Sequence, residues 1–175
     1  MIDHYTPSLH QVKKKNRMKT IIVGLGNPFL KDDGVGNRVT GILKERLAGH
    51  PTIDVLELSV GGLRLMEALA GYQRSIIIDA MHTGRYRPGV VRKLGLDDLG
   101  MSLHSSSTHD TSLARALASG KHLGLVLPRQ IVFWCVEVRE CNTFGERMSD
   151  DVARAVPMAA AAVLGDLGEE KYIAD

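Results

Sequence analysis

Short runs of consecutive apolar residues alternate along the chain with loops and with apolar residues at helical spacing. Continuous apolar runs are typical of strands that are buried on both faces of a mainly parallel sheet. Five strands are predicted, at 21–23, 53–60, 75–80, 90–94 and 130–138. The fourth of these follows a turn and need not be parallel to the others.

Apolar residues at helical spacing predict helices between these strands. They occur at 35, 39, 42, 43 and 47, at 63–69, at 110–119 and at 149–167, with a further helical turn at 97–100. Pro157 lies inside the last helix and should kink or split it. Strands that alternate with helices indicate an α/β fold, a three-layer α/β/α sandwich around a mainly parallel, twisted sheet of about five strands.

Length and composition predict one ordinary globular domain. The chain has 175 residues, 44% of them hydrophobic and 24% charged, with a net charge of +2 that gives no argument for a nucleic-acid or membrane partner. Residues 1–17 are polar and basic and are interpreted as a flexible extension, 18–168 as the domain and 169–175 as a tail. Two cysteines are too few for a disulfide framework, and no apolar run approaches a membrane span, so we expect a cytoplasmic protein.

Three carboxylates are predicted to lie at one edge of the sheet. Asp32 and Asp33 follow the first strand, in a glycine-rich loop, and Asp79 ends the third strand. Ligands bind beyond the carboxyl ends of parallel strands, which makes this edge the candidate site. Capping of the following helix is the ordinary role for one member of the acidic pair, but it does not account for both.

A histidine could complete a metal site at the same edge. His109 stands in a polar loop at the start of a predicted helix, but His82 and His104 are equally eligible by composition. Two carboxylates and one imidazole would suit a borderline divalent ion with an open coordination position. Spacing alone does not choose among the three histidines.

The loop after the first strand resembles the signature of a known family. It reads GLGNPFLKDDGVG from Gly24 to Gly36, and it is similar to the pattern G-x-G-N-x-x-x-x-D-D/E-x-x-G of the maturation endopeptidases of nickel–iron hydrogenases. The sequence IIIDA around Asp79 and the sequence SSTHD around His109 resemble two further motifs of that family, in the same order. The resemblance extends over most of 18–167.

This resemblance implies a specific activity. The family are aspartyl-type endopeptidases that remove a C-terminal peptide from the hydrogenase large-subunit precursor once nickel has been loaded. Asp33, Asp79 and His109 would contact the nickel and take part in catalysis, and the nickel would arrive with the precursor rather than as a resident cofactor. Asp32 would serve as a helix cap at least as well as in a direct role. The family precedent favours a monomer, and the loop at 139–145 could meet the precursor.

Three other functions are weighed against this one. A dinucleotide-binding loop would need a glycine where Phe29 stands, and the acidic pair would repel a pyrophosphate. The residues GLGNP also resemble the opening of bacterial peptidyl-tRNA hydrolases, but KDDG stands where those enzymes carry their catalytic histidine segment. A nickel-dependent maturation chaperone would keep the metal ligands without cutting. Serine-hydrolase and zincin motifs do not occur in the sequence.

Overall fold

A five-stranded sheet forms the centre of the part of the chain that the computed structural model describes, residues 18–98 and 109–168. Its strand order is β2-β1-β3-β5-β4, and β4 alone among these strands runs antiparallel, against β5. The strands are β1 (Thr20–Leu25), β2 (Ile53–Leu58), β3 (Arg74–Met81), β4 (Val91–Gly95) and β5 (Gln130–Glu137). All five predicted strands are therefore confirmed.

Helices cover both faces of this sheet and complete the three predicted layers. They are α1 (Val35–Arg46), α2 (Leu63–Leu69), α3 (His109–His122) and α4 (Asp150–Asp166). Helices α1 and α4 pack on one face, and α2 and α3 pack on the other. The α/β/α sandwich is confirmed. None of the described helices combines the length and the hydropathy that a bilayer crossing requires.

Successive side chains of the central strands point to opposite faces of the sheet, so the hydrophobic core is divided into two parts. Ile22, Ile76 and Ile78 are fully buried against α1 and α4, whereas Val23 and Ile77 are fully buried against α2 and α3. Each such side chain contributes roughly 1.5–3 kcal/mol by burial. Because both faces are covered, the central strands read as continuous apolar runs rather than as alternating ones.

The prediction that Pro157 splits the last helix is wrong. Helix α4 runs without a break over 17 residues. Pro157 lies on its exposed side, where water can bind the backbone carbonyl that the missing N–H would have paired. Residues 96–98 are helical, as predicted. The predicted extension 1–17, the loop 99–108 and the tail 169–175 lie outside the described residues.

A buried ion pair locks the amino edge of the sheet, opposite the candidate site. The guanidinium of Arg74, at the start of β3, lies 3.1 Å from Asp166 Oδ2 and also donates to the Asp166 carbonyl oxygen. Lys93 of β4 contacts the other carboxylate oxygen, and the indole N–H of Trp134 donates to Oδ2 at 3.4 Å. The end of α4 is thereby tied to three strands.

Candidate active site

The strand order opens a crevice between β1 and β3. The chain passes from β1 to β2 on one side and then returns to place β3 on the other side of β1. Loops at such a reversal diverge, and ligands bind there in open α/β sheets. The acidic loop after β1 and the end of β3 are the two walls of this crevice.

Asp79 lies where β1 stops pairing with β3. The pairing of these two strands ends at Gly24 and Ile78, one residue before Asp79. Strand β3 continues past Asp79 to Met81, one residue beyond the predicted end at 80, through its pairing with β5. The half-buried carboxylate accepts the N–H of Ala80 at 2.8 Å. Asp79 thus lies where β3 no longer pairs with β1 on one side but still pairs with β5 on the other.

The acidic loop folds back on itself to fix Asp33. Gly26 has a φ of +135°, and a Cβ at this position would lie only 2.0 Å from the carbonyl oxygen of Asp33, so no other residue fits. The N–H of Asn27 donates to Asp33 Oδ2 at 2.7 Å, and Asn27 Oδ1 accepts the N–H of Phe29 at 3.0 Å. These hydrogen bonds fix the positions of Asn27 and Asp33 relative to each other.

Helix α1 begins directly against the sheet at Gly36. A Cβ on this glycine would lie 2.1 Å from the carbonyl oxygen of Leu25 and 2.6 Å from that of Ile78. Only a residue without a side chain allows this approach. The glycine therefore sets how closely the start of α1 approaches the carboxyl ends of β1 and β3.

The prediction that Asp32 caps the following helix is wrong. Gly34 precedes α1, and no side-chain hydrogen bond is made there. Asp32 is only 3% exposed, and its carboxylate accepts the backbone N–H of Ser149 at 2.7 Å and the Ser149 hydroxyl at 2.9 Å. Ser149 is the residue before α4, and its hydroxyl donates to Asp32 rather than capping the helix backbone. Asp32 therefore joins the acidic loop to the last helix.

Cys141 is a member of the site that the sequence did not indicate. Burial and, in decreasing order, the negative charges of Asp33, Asp79, Asp32 and Glu137 raise the pKa of its thiol to about 12. The negative charges that act on this thiol belong to residues of the acidic loop, of β3 and of β5. Its position shortly after β5, at the same edge as the acidic pair, is the signal that could have found it.

The segment 139–149 forms a wall beside the acidic loop. The N–H of Gly145 donates to the carbonyl oxygen of Phe29 at 2.9 Å, and the N–H of Lys31 donates to the Gly145 carbonyl oxygen at 2.7 Å. A cleft of about 470 Å³ lies along this junction. Both charge signs line it, with Lys31 and Arg139 among the cations and Glu140 among the anions. Asp32 is the member of the acidic pair that lines this cleft.

The proposed third member of the site remains a prediction. His109 is the first residue of α3, but its side chain and all of His104 lie outside the described residues, and His82 is exposed just after β3. Helix α3 ends shortly before β5 starts, so its first residue faces the carboxyl edge of the sheet. Among the described side chains, no group of three or more histidines, cysteines and carboxylates is placed to hold a metal ion.

Comparisons with known proteins agree on one family. The hydrogenase maturation protease family (HycI) matches residues 37–166, a range that includes Asp79 and His109 and begins just after the acidic loop. The hydrogenase expression/formation protein HupM of Azotobacter chroococcum is 26% identical over 156 residues, which cover 88% of this chain and 74% of that protein.

Solved structures give the same result. The NiFe hydrogenase maturation protease HybD from Thermococcus kodakarensis is 26% identical, with a TM-score of 0.66 over 86% of this chain and 99% of that one. The hydrogenase maturating endopeptidase HybD from Escherichia coli shares the fold, with a TM-score of 0.75, 24% identity and coverage of 87% and 93%. The family match spans well over half of the chain, and this protein therefore belongs to the hydrogenase maturation proteases, a family of peptidases.

Proposed function

We propose that this protein is the endopeptidase that removes the C-terminal extension from the nickel-loaded large-subunit precursor of a nickel–iron hydrogenase. The observation that carries the proposal is that the acidic loop with Asp33 and the strand residue Asp79 lie at the adjoining carboxyl ends of β1 and β3, with a cleft beside Asp32 of the same loop. Relatives named as hydrogenase maturation proteases supply the class of substrate.

The proposed roles follow from the chemistry of the side chains. Asp33, Asp79 and His109 contact the nickel that the precursor brings, since carboxylates and imidazole both bind such an ion. Amide hydrolysis also needs a proton acceptor for the attacking water and a proton for the leaving amine, which a carboxylate or an imidazole can provide. In this proposal the enzyme is of the aspartyl type and has no organic cofactor. It acts as a cytoplasmic monomer without nucleic-acid or membrane partners.

The test is a cleavage assay on nickel-loaded precursor, read by mass spectrometry. We expect wild type to shorten the precursor by its C-terminal extension, and Asp33→Asn, Asp79→Asn and His109→Ala each to lower the rate at least a hundredfold. Glu45→Gln, which changes an exposed carboxylate on α1, is the matched control and should cleave normally. Circular dichroism checks that every variant is folded.

Each other outcome points to a different function or residue. If the His109→Ala variant still cleaves the precursor, the third nickel contact would be assigned to His82 or His104 instead. Precursor binding by wild type without any cleavage would indicate a maturation chaperone. Absence of binding, together with hydrolysis of peptidyl-tRNA, would overturn the proposal in favour of that activity.

A further inference from the structure

Two phenylalanine side chains project into solvent at the rim of the candidate site. Phe29 is 64% exposed and Phe144 is 80% exposed. One lies in the acidic loop and the other in the segment 139–149, which are the two segments that meet beside the cleft. Large exposed aromatic side chains at a functional edge are typical of protein-binding surfaces.

Backbone hydrogen bonds hold the two phenylalanines next to one another. Gly145, the neighbour of Phe144, donates to the Phe29 carbonyl oxygen at 2.9 Å and accepts from Lys31 at 2.7 Å. The N–H of Phe29 is itself bound to Asn27 Oδ1. Because the backbone under both rings is fixed before any partner arrives, less conformational entropy is lost when the rings are covered.

The pair is continuous with the acidic site. Phe29 precedes Asp32 and Asp33 in the same loop, and Phe144 adjoins Gly145, which forms a bridge with Leu30 of that loop. A polypeptide that binds at the acidic loop therefore has this exposed aromatic pair within the same two segments. Two phenylalanine side chains offer on the order of 300 Å², well below the roughly 800 Å² per partner of a stable dimer. The pair therefore suits one segment of a substrate better than a second copy of the chain.

We propose that Phe29 and Phe144 form a docking surface for a large apolar side chain of the precursor polypeptide, close to the bond that is cut. The inference rests on the proposed function and adds a determinant of specificity to it. The two rings bind the substrate and take no part in the chemistry, so their removal raises KM and leaves kcat unchanged. The nickel contacts and the docking surface then recognise separate parts of the precursor.

The experiment measures KM and kcat for nickel-loaded precursor with wild type, Phe29→Ala and Phe144→Ala. Leu123→Ala is the matched control, because this leucine is 75% exposed but lies between α3 and β5, at the opposite edge of the sheet. We expect either phenylalanine variant to raise KM about tenfold, with kcat within about twofold of wild type. Phe29→Leu should recover most of the loss, and Leu123→Ala should behave as wild type.

Direct binding of the precursor separates this inference from the proposed function. If wild type binds the precursor without cutting it, the proteolytic function fails, and about tenfold weaker binding by the phenylalanine variants would still support the docking surface. Wild-type KM or affinity in both folded variants would overturn the inference alone, as would a fall in kcat at constant KM. A dimer that either variant dissociates would assign the pair to self-association. No binding by wild type would overturn both.

Discussion

Asp32 and Ser149, 117 residues apart in the sequence, are joined by two hydrogen bonds to the two oxygens of one buried carboxylate. This link fixes the start of α4 against the acidic loop. It explains why an acidic pair stands in the loop, because the two aspartates have different tasks. Asp32 holds the last helix, and the carboxylate of Asp33 accepts the N–H of Asn27 within the acidic loop.

Loss of the Asp32 link should destabilise the fold. Asp32→Ala leaves the part-buried N–H and hydroxyl of Ser149 without their acceptor, so we expect the free energy of unfolding to fall by about 2–3 kcal/mol. Ser149→Ala keeps the backbone bond and should cost about 1 kcal/mol. Urea denaturation measures both, with the exposed Ser119→Ala as control. Unchanged stability of Asp32→Ala would contradict the role assigned to this residue.

Two glycines of α1 should respond to alanine in opposite ways. Gly36→Ala forces a methyl group into the backbone of Leu25 and Ile78 and should cost about 3 kcal/mol or more. Gly41→Ala meets nothing within 4 Å, so it should stabilise the helix by about 0.5–1 kcal/mol. Thermal melts of the two variants, compared with wild type, test this difference. Equal melting temperatures would show that α1 does not lie as close to β1 as described.

The thiol of Cys141 should react slowly below pH 10. Burial and then the charge of Asp33, the largest of the four carboxylate contributions, raise its pKa to about 12. At pH 8 the reactive thiolate is about a thousandfold rarer than in an ordinary cysteine. Iodoacetamide labelling in EDTA, followed by peptide mapping, measures the rate and distinguishes Cys141 from the buried Cys135.

Removal of a nearby charge should make the same thiol more reactive. Asp33→Asn lowers the pKa of Cys141, because a neutral amide no longer disfavours the thiolate. We expect labelling at pH 8 to become several times faster than in wild type. The raised pKa also makes stability depend on pH. Above about pH 8.5 the thiol ionises in the unfolded chain but not in the folded protein, so the folded state loses stability as the pH rises. Labelling as fast as that of free cysteine in wild type would contradict the raised pKa of the Cys141 thiol.

The ion pair between Arg74 and Asp166 should contribute more to the free energy of unfolding than the more exposed ion pair between Lys93 and Asp166. Asp166→Ala leaves the largely buried guanidinium of Arg74 without its carboxylate, and we expect a loss of about 3 kcal/mol in the free energy of unfolding. Lys93→Ala removes a half-exposed partner of the same carboxylate and should cost less than about 1 kcal/mol. Cleavage by Lys93→Ala should stay normal, because the pair lies far from the crevice. A larger loss for Lys93→Ala than for Asp166→Ala would reverse this ranking.

Local patterns predicted most of the fold. The apolar runs around Ile22 and Ile77 predicted strands that are buried on both faces, because neither face of these strands carries a polar side chain. The adjacency of β1 and β3 then places Asp33 and Asp79 at one edge. These inferences need only the period of the pattern and the direction of parallel strands.

Contacts between distant segments could not be predicted in this way. No local rule pairs Asp32 with Ser149, and a capping role was the better guess until the position of α4 was known. The extension of β3 beyond Asp79 depends on pairing with β5. The continuity of α4 at Pro157 depends on which side of the helix faces solvent. The role of His109 stays a prediction.

The bridge between Leu30 and Gly145 has a consequence for the order in which the enzyme becomes competent during synthesis. The acidic loop leaves the ribosome early, but the wall that completes the cleft is among the last parts of the domain to be made. Until about 150 residues have emerged, Asp32 has no Ser149 to bind and the rim carries only one of its two phenylalanines. Domains are made from the N-terminus onward, so the nascent chain passes through most of its synthesis without a finished active site.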